Sequence, residues 1–466
     1  MKKTAIIFTY VLLWAGWYLF FPYLMRWYEG FSFFTTLPDF AGVHFSLPGD
    51  IFDYMSSFLL QFYRYPAAGA AIQAAFPVLS VLCFGLIVRR LFKDADSLFW
   101  LAFIPLPVLV YIQLADMTLV RPCIFLSCSA VLASAVWILT IFVKPGLSIP
   151  EILHKRWFAV VAVLAALAVS FFLFMHGPLG RQHEEIARLE YYGEHKEWGK
   201  ILETVSPQDA MTNEYKRKYI LLALSETGQL PEFAFRYGLS GSQDFYFHDA
   251  QGPLSLNFNI LFYRGLGIDN PVVYYAYQQS LQSLPGVSFD AVRALADIYI
   301  EKKDYQLAAK YVEILAHTSC HRRWVSERLP LLEALRSEEP AYDMRGDKFV
   351  LENFLHDISS LVERYPDNRK FADYLLCGIL ADKDGSVFFN TFSQVSSFLY
   401  PEGKEIPRLY QEALLLIASQ KPEILDRFHI DEEIWKSFTD FTGMMQKGRV
   451  AQAKRKYAGT YWAYVY

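Results

Sequence analysis

Charge is what this 466-residue chain has least of: 20% of its residues are charged, against roughly 25% in an average soluble protein. The net charge is −4, so no basic face advertises nucleic acid as a partner. Cysteine is scarce too, with five residues and no CxxC pair, which leaves no disulfide framework and no zinc-ribbon spacing. Cys83, Cys123 and Cys128 lie in apolar runs and read as small buried hydrophobes, while pairing of Cys320 with Cys377 stays open. There is no GxSxG, no phosphate-binding loop and no dinucleotide glycine pattern. In "HEEIA", His183 lacks the second histidine of a zinc helix, and His195, His248, His317, His321, His356 and His429 are scattered singly as surface or core residues. No catalytic motif and no cofactor or metal site follows from these patterns.

Apolar sequence is plentiful, at 53% hydrophobic residues, and it is concentrated in the first 176 positions. A membrane crossing needs roughly 20 apolar residues. Five runs qualify, near 4–24, 66–88, 98–115, 122–143 and 157–175. The first follows Lys2 and Lys3 but has no small-residue cleavage site, so it reads as an uncleaved anchor. Pro105 and Pro107 predict a kink in the third run. With a cytoplasmic amino terminus, the inner segments carry Lys2, Lys3, Arg89, Arg90, Lys93, Lys144, Lys155 and Arg156, and the outer ones carry only Arg26, Arg64, Arg121 and Arg181. That bias fixes the orientation, and an odd number of crossings puts everything after Met175 outside the cytoplasm. Asp116 and Arg121, at the outer end of the "QLADMTLVRP" hairpin, read as a snorkelled ion pair.

The first outer loop spans residues 25–65. After "LPGD", Asp50, Asp53, Ser57, Gln61 and Arg64 recur every three or four positions, and Ile51, Phe52, Tyr54, Met55, Phe58, Leu59 and Phe62 fill the other face. This predicts an amphipathic helix near 50–64 lying in the membrane interface. Asp39, His44, Asp50 and Asp53 are the candidate site residues, because carboxylates there could serve as base or metal ligand toward a lipid-linked substrate. The plainer reading is that such aspartates cap helices.

From residue 177 to 466 the rhythm is helical and broken by turn signals such as "TGQLP", "SLPGV" and "RYPDN". In "LADIYIEKKDYQLAAKYVEIL", Leu295, Ala296 and Tyr299 face Tyr305, Ala308, Val312 and Leu315, a pattern similar to a tetratricopeptide repeat. "EYYGEHKEWGKIL", "SETGQLPEFAFRYG" and "FTGMMQKGRVAQAKRKY" are weaker copies, and Gly265 and Gly267 of "YRGLGIDNP" end a helix. The segment "SGSQDFYFHDAQGPLSLNFN" breaks the rhythm and could be a functional loop or a connector. The terminal "GTYWAYVY" is too aromatic for a free tail and predicts docking within the protein.

The expected fold is therefore all-α, with an N-terminal bundle of about five transmembrane helices over 1–176. An extracytoplasmic helical-hairpin domain follows over 177–466. The stretches "LPGDIFDYMSSFLLQFYRYPAAGA", "NFNILFYRGLGIDNPVVYYAYQ", "KDYQLAAKYVEILAHTSCHRRW" and "GTYWAYVY" resemble an uncharacterised family of multispan membrane proteins of Bacteroidota. The resemblance implies a bacterial inner (cytoplasmic) membrane and a periplasmic repeat domain, and implies no activity. The expected role is a membrane-anchored scaffold or adaptor that contacts membrane lipid and binds envelope protein partners. An enzyme acting on lipid-linked glycan-type substrates through the acidic loop is the alternative.

Overall fold

The computed structural model describes residues 2–45, 47, 49–115, 117–142, 150–177, 180–283, 286–336, 353–401 and 404–466. Among these residues there are 25 α-helices, a few short 3₁₀ turns and no strand. The fold is all-α, as the sequence predicts. Two compact units emerge: one of residues 1–188 and 279–341, the other of 189–278 and 342–466.

In the first unit, four helices are long and apolar enough to cross a membrane: Lys3–Phe20, Pro66–Leu91, Val120–Phe142 and Arg156–His176. The first two run side by side in opposite directions, since Tyr10 Oη donates to Ala71 O at 3.4 Å and Trp14 Nε1 to Ala67 O at 3.0 Å. Small residues also let the connecting helix Pro22–Phe31 approach Pro66–Leu91; a Cβ on Gly69 would stand 2.8 Å from Met25 Sδ. Around the bundle the large side chains turn outward: Leu19, Leu86, Val131, Leu139 and Phe172 are all exposed. In water such a surface would be very unfavourable.

The third run departs from a single spanning helix. It forms a 3₁₀ turn, Phe99–Phe103, and then a helix, Leu106–Ala115, of 10 residues. Pro105 and Pro107 lack the N–H groups that would continue one α-helix across the junction. Together the two pieces reach about 25 Å. At one end, Ser97 Oγ is 2.7 Å from His154 Nδ1, and Trp100 Nε1 donates to Leu153 O at 3.3 Å. At the other, Tyr63 Oη donates to Met117 O at 3.4 Å, and Leu119 N–H to Ser56 Oγ at 3.2 Å. Between these ends, Gln113 Nε2 donates to the Gln73 side chain, and Gln73 Nε2 donates to Tyr63 Oη at 2.5 Å. All three of these polar side chains are fully buried, and the chain of bonds partners their polar atoms except Gln113 Oε1, which has none.

The predicted hairpin is present as helices Phe289–Glu301 and Tyr305–Ala316, capped by Ser288 and Asp304. Ala296 and Ala308 are buried where the helices meet, and Tyr299 stacks on Tyr311 at 5.7 Å. Helix Arg322–Leu335 follows, tied back by Arg328 Nε donating to Asp297 at 2.7 Å. Hydropathy draws a boundary at 176/177 and leaves this hairpin in the second half. In the structure it packs within the first unit, because its buried Phe289 and His321 meet the loop after the first apolar helix.

In the second unit one turn recurs between successive helices. At Lys196, Gly228, Gly267, Lys383 and Gly448 the backbone is left-handed, and the next helix begins two residues later. In each case the residue after the left-handed one donates back to a carbonyl five positions earlier: Glu197 to Tyr192, Gln229 to Leu224, Ile268 to Tyr263, Asp384 to Ile379 and Arg449 to Met444. Lys303 makes the same turn within the first unit's hairpin, with Asp304 bonding to Tyr299. This is the Schellman closure of a helix end. These six copies, each followed at once by a helix, give the weak sequence repeats a common backbone.

The non-periodic segment 240–252 is a structural plug. Phe245, Tyr246 and Phe247 are buried, and Asn259 clamps the Phe247 backbone at both its N–H (2.9 Å) and its C=O (2.8 Å). The C-terminal segment docks as predicted, as helix Tyr461–Val465 with Trp462 at 0% exposure. Tyr461 N–H donates to Glu412 Oε2 at 2.7 Å, and Trp462 packs on Phe438 at 5.3 Å.

Candidate functional site

The loop between the first two apolar helices is built as helices Pro22–Phe31, Pro38–His44 and Asp50–Leu60, with a 3₁₀ turn at Gln61–Arg64. Proline opens the first two helices, where its missing N–H costs nothing. Asp39 is exposed in the first turn of Pro38–His44, a position that suits a carboxylate near the helix N-terminus. His44, at the other end of that helix, is buried against Phe40 at 4.3 Å and donates from Nδ1 to Phe40 O at 2.9 Å. Asp50 accepts from Leu47 N–H at 2.9 Å, which closes the turn before its own helix. Asp53 is half-buried; burial first, and then the neighbouring Asp50, push its carboxyl above the usual range, while His44 opposes them. The structure thus groups His44, Asp50 and Asp53 electrostatically.

A second constellation lies where the hairpin meets this loop. His321 Nε2–H donates to Glu29 Oε1 at 2.7 Å, with both side chains almost wholly buried. Burial pushes the Glu29 carboxyl up, but the hydrogen bond and charge of His321, aided by Arg293 and Arg64, hold it below its ordinary value. Burial pushes the His321 imidazole down, against the pull of Glu29. Both groups are thus held below their ordinary values, and His321 Nδ1 has no partner. Around it, Phe289 N–H donates to Ser32 O at 2.9 Å, Thr35 Oγ1 to His317 O at 3.1 Å, and Cys320 Sγ contacts Gln61 Oε1 at 3.8 Å. Gly30 lies so close to the Asp290 carboxylate that a Cβ there would collide with it. Nearby, Glu184 accepts from the N–H groups of Tyr23 and Leu24 at 3.1 and 2.8 Å, and burial pushes its carboxyl up to about 7.

In the second unit the last hairpin, Glu432–Gln446 and Val450–Lys456, borders a groove of about 780 Å³. Trp435 and Lys436 line it with Asp440, Lys447, Arg449 and Lys456, and Trp435 is exposed. Lys436 pairs with Glu432 at 3.1 Å and Lys456 with Asp440 at 2.7 Å; Lys447 and Arg449 add two further cations.

One family matches the sequence over residues 1–174 and 119–466, which together take in the whole chain. The chain belongs to DUF6057, a family of unknown function. No curated protein matches it, and neither does any solved structure.

For this DUF6057 chain, reasoning from sequence finds the acidic loop but not the Glu29–His321 junction. The available signal was Glu29 itself, a lone acid inside the aromatic stretch "RWYEGFSFF". The five cysteines are free thiols, Cys377 being buried beside Tyr410 at 3.7 Å. Arg121 is exposed, and Asp116 lies outside the described residues.

Proposed function

We propose that the protein is an adaptor of a bacterial inner membrane. In this reading five crossings carry a helical-repeat body on the extracytoplasmic side, where it binds protein or peptide partners of the envelope. Two supports bear on placement. The contacts at opposite ends of the broken 99–115 segment support reading it as a fifth traverse beside the four long apolar helices, and the lysine and arginine bias supports the orientation of that odd number of crossings. The observation that carries the binding role is the terminal groove. An end repeat ordinarily presents a polar outer face, yet here Trp435 and Val450 are exposed among an excess of cations. An apolar anchor ringed by cations suits an acidic peptide. A photo-reactive residue at Trp435 of the full-length protein in native membranes should give one discrete protein adduct, abolished by Lys447→Glu with Arg449→Glu. An adduct indifferent to those charges, or none, contradicts the reading.

The grouping of His44, Asp50 and Asp53 favours the second reading, an enzyme on lipid-linked substrates. Under it, Asp53→Asn abolishes in vivo function while leaving the fold intact.

A further inference from the structure

The amphipathic helix Asp50–Leu60 is mounted inside out for a protein in water. Its polar residues Ser56 and Ser57, with Gln61 just beyond, are buried within the first unit. Ser56 Oγ accepts from Leu119 N–H at 3.2 Å, and Gln61 contacts Cys320 Sγ, so the polar side is pinned to protein. Ile51, Met55 and Phe58, spaced four and three residues apart on one helical row, are each 42–43% exposed. Leu37, Phe45 and Leu47 extend this exposed apolar surface along the preceding segment, where Phe45 rests on Tyr54 at 5.3 Å. Tyr65, also exposed, precedes Pro66–Leu91, whose exposed Leu79, Leu82 and Leu86 lie further along that helix.

We infer that this surface is a lipid-facing platform, with Ile51, Met55 and Phe58 seated at the headgroup–acyl boundary of the outer leaflet. The occupant follows from continuity. Through the Ser56–Leu119 bond the helix lies beside the start of Val120–Phe142, whose exposed Ile124 and Val131 belong to the outward apolar belt of the long helices, and that belt fits hydrocarbon. The charged residues Asp50 and Asp53 lie off the Ile51–Met55–Phe58 row, as expected of a helix lying in the interface plane. A helix facing water would bury the apolar row and expose the serines, and the observed arrangement is the reverse. The inference rests on the chain being embedded in a membrane. It goes beyond the adaptor reading, because the platform and the terminal groove are on different elements.

The test places p-benzoylphenylalanine at Phe58 in one full-length variant and at Val131 in another, each expressed in native membranes and irradiated. Val131, outward on a long apolar helix, reports whether the chain is embedded at all. Phospholipid adducts at both positions are expected, resolved by mass. A self-dimer at Phe58, an adduct to another protein, or no adduct there while Val131 captures lipid would each overturn the platform. Lipid capture failing at Val131 as well would overturn the membrane reading beneath it.

Discussion

Replacing Trp462 by alanine should unfasten the C-terminal helix, and the structure sets the size of the effect. The indole is fully buried and packs on Phe438 and Phe441 at 5.3 and 6.3 Å. Its Nε1–H has no partner, so truncation removes packing without orphaning another polar group. Loss of a buried aromatic of this kind costs about 3–5 kcal/mol. For a body of this size each kcal/mol moves the midpoint by roughly 2–4 °C. A fall of about 6–20 °C is therefore expected in the thermal transition of the second unit, read by scanning fluorimetry of the detergent-purified full-length protein. Tyr466→Ala is the control: Tyr466 is exposed at the chain end, so its removal should shift the midpoint little. Equal shifts for the two variants would falsify the view that Trp462 anchors this segment.

Other outcomes follow from the junction and the turns. His321 is held below its ordinary value in the folded protein, so its contribution to stability is full above about 6.5 and declines as pH falls through the depressed folded value. His321→Gln keeps a donor toward Glu29 without the titration and should flatten the stability–pH curve below that point; an unchanged curve argues against the junction as its source. Glu184 has the opposite sign: its raised carboxyl favours the fold most below its unfolded value and loses that contribution as pH rises through about 7. Glu184→Gln should accordingly raise the midpoint at pH 8 relative to pH 5, and the reverse order contradicts the assignment. At the left-handed turns, Gly448→Val should lower the midpoint by an amount worth about 1–2 kcal/mol, because a β-branched residue resists that backbone; Lys303→Gly should not destabilise.

The long apolar runs were legible because continuous hydrophobicity is a local property, and so was the hairpin, where Ala296 and Ala308 mark the close contact. Glycine announced three of the second unit's turns. Lys196, Lys303 and Lys383 did not, since nothing in a lysine's chemistry advertises a left-handed backbone. The amphipathic helix was legible as two faces, but periodicity does not say which face meets protein. Its mounting depends on Leu119 and Cys320, far along the chain. For the same reason Glu29 and His321, 292 positions apart, could not be paired from sequence. Of the four candidate residues in the loop, the structure groups His44, Asp50 and Asp53 and leaves Asp39 exposed at a helix start.

The adaptor proposal turns on a fifth crossing, since under it the helical body of the second half lies outside the cytoplasm. Fusions of a dual reporter, one enzyme active only in the cytoplasm and one only outside it, test it directly. The contacts of the 99–115 segment predict cytoplasmic activity for a fusion after Lys93 and extracytoplasmic activity for fusions after Arg121 and at Tyr466. Cytoplasmic activity at Tyr466, with Lys93 also cytoplasmic, would mean four crossings and would contradict the account.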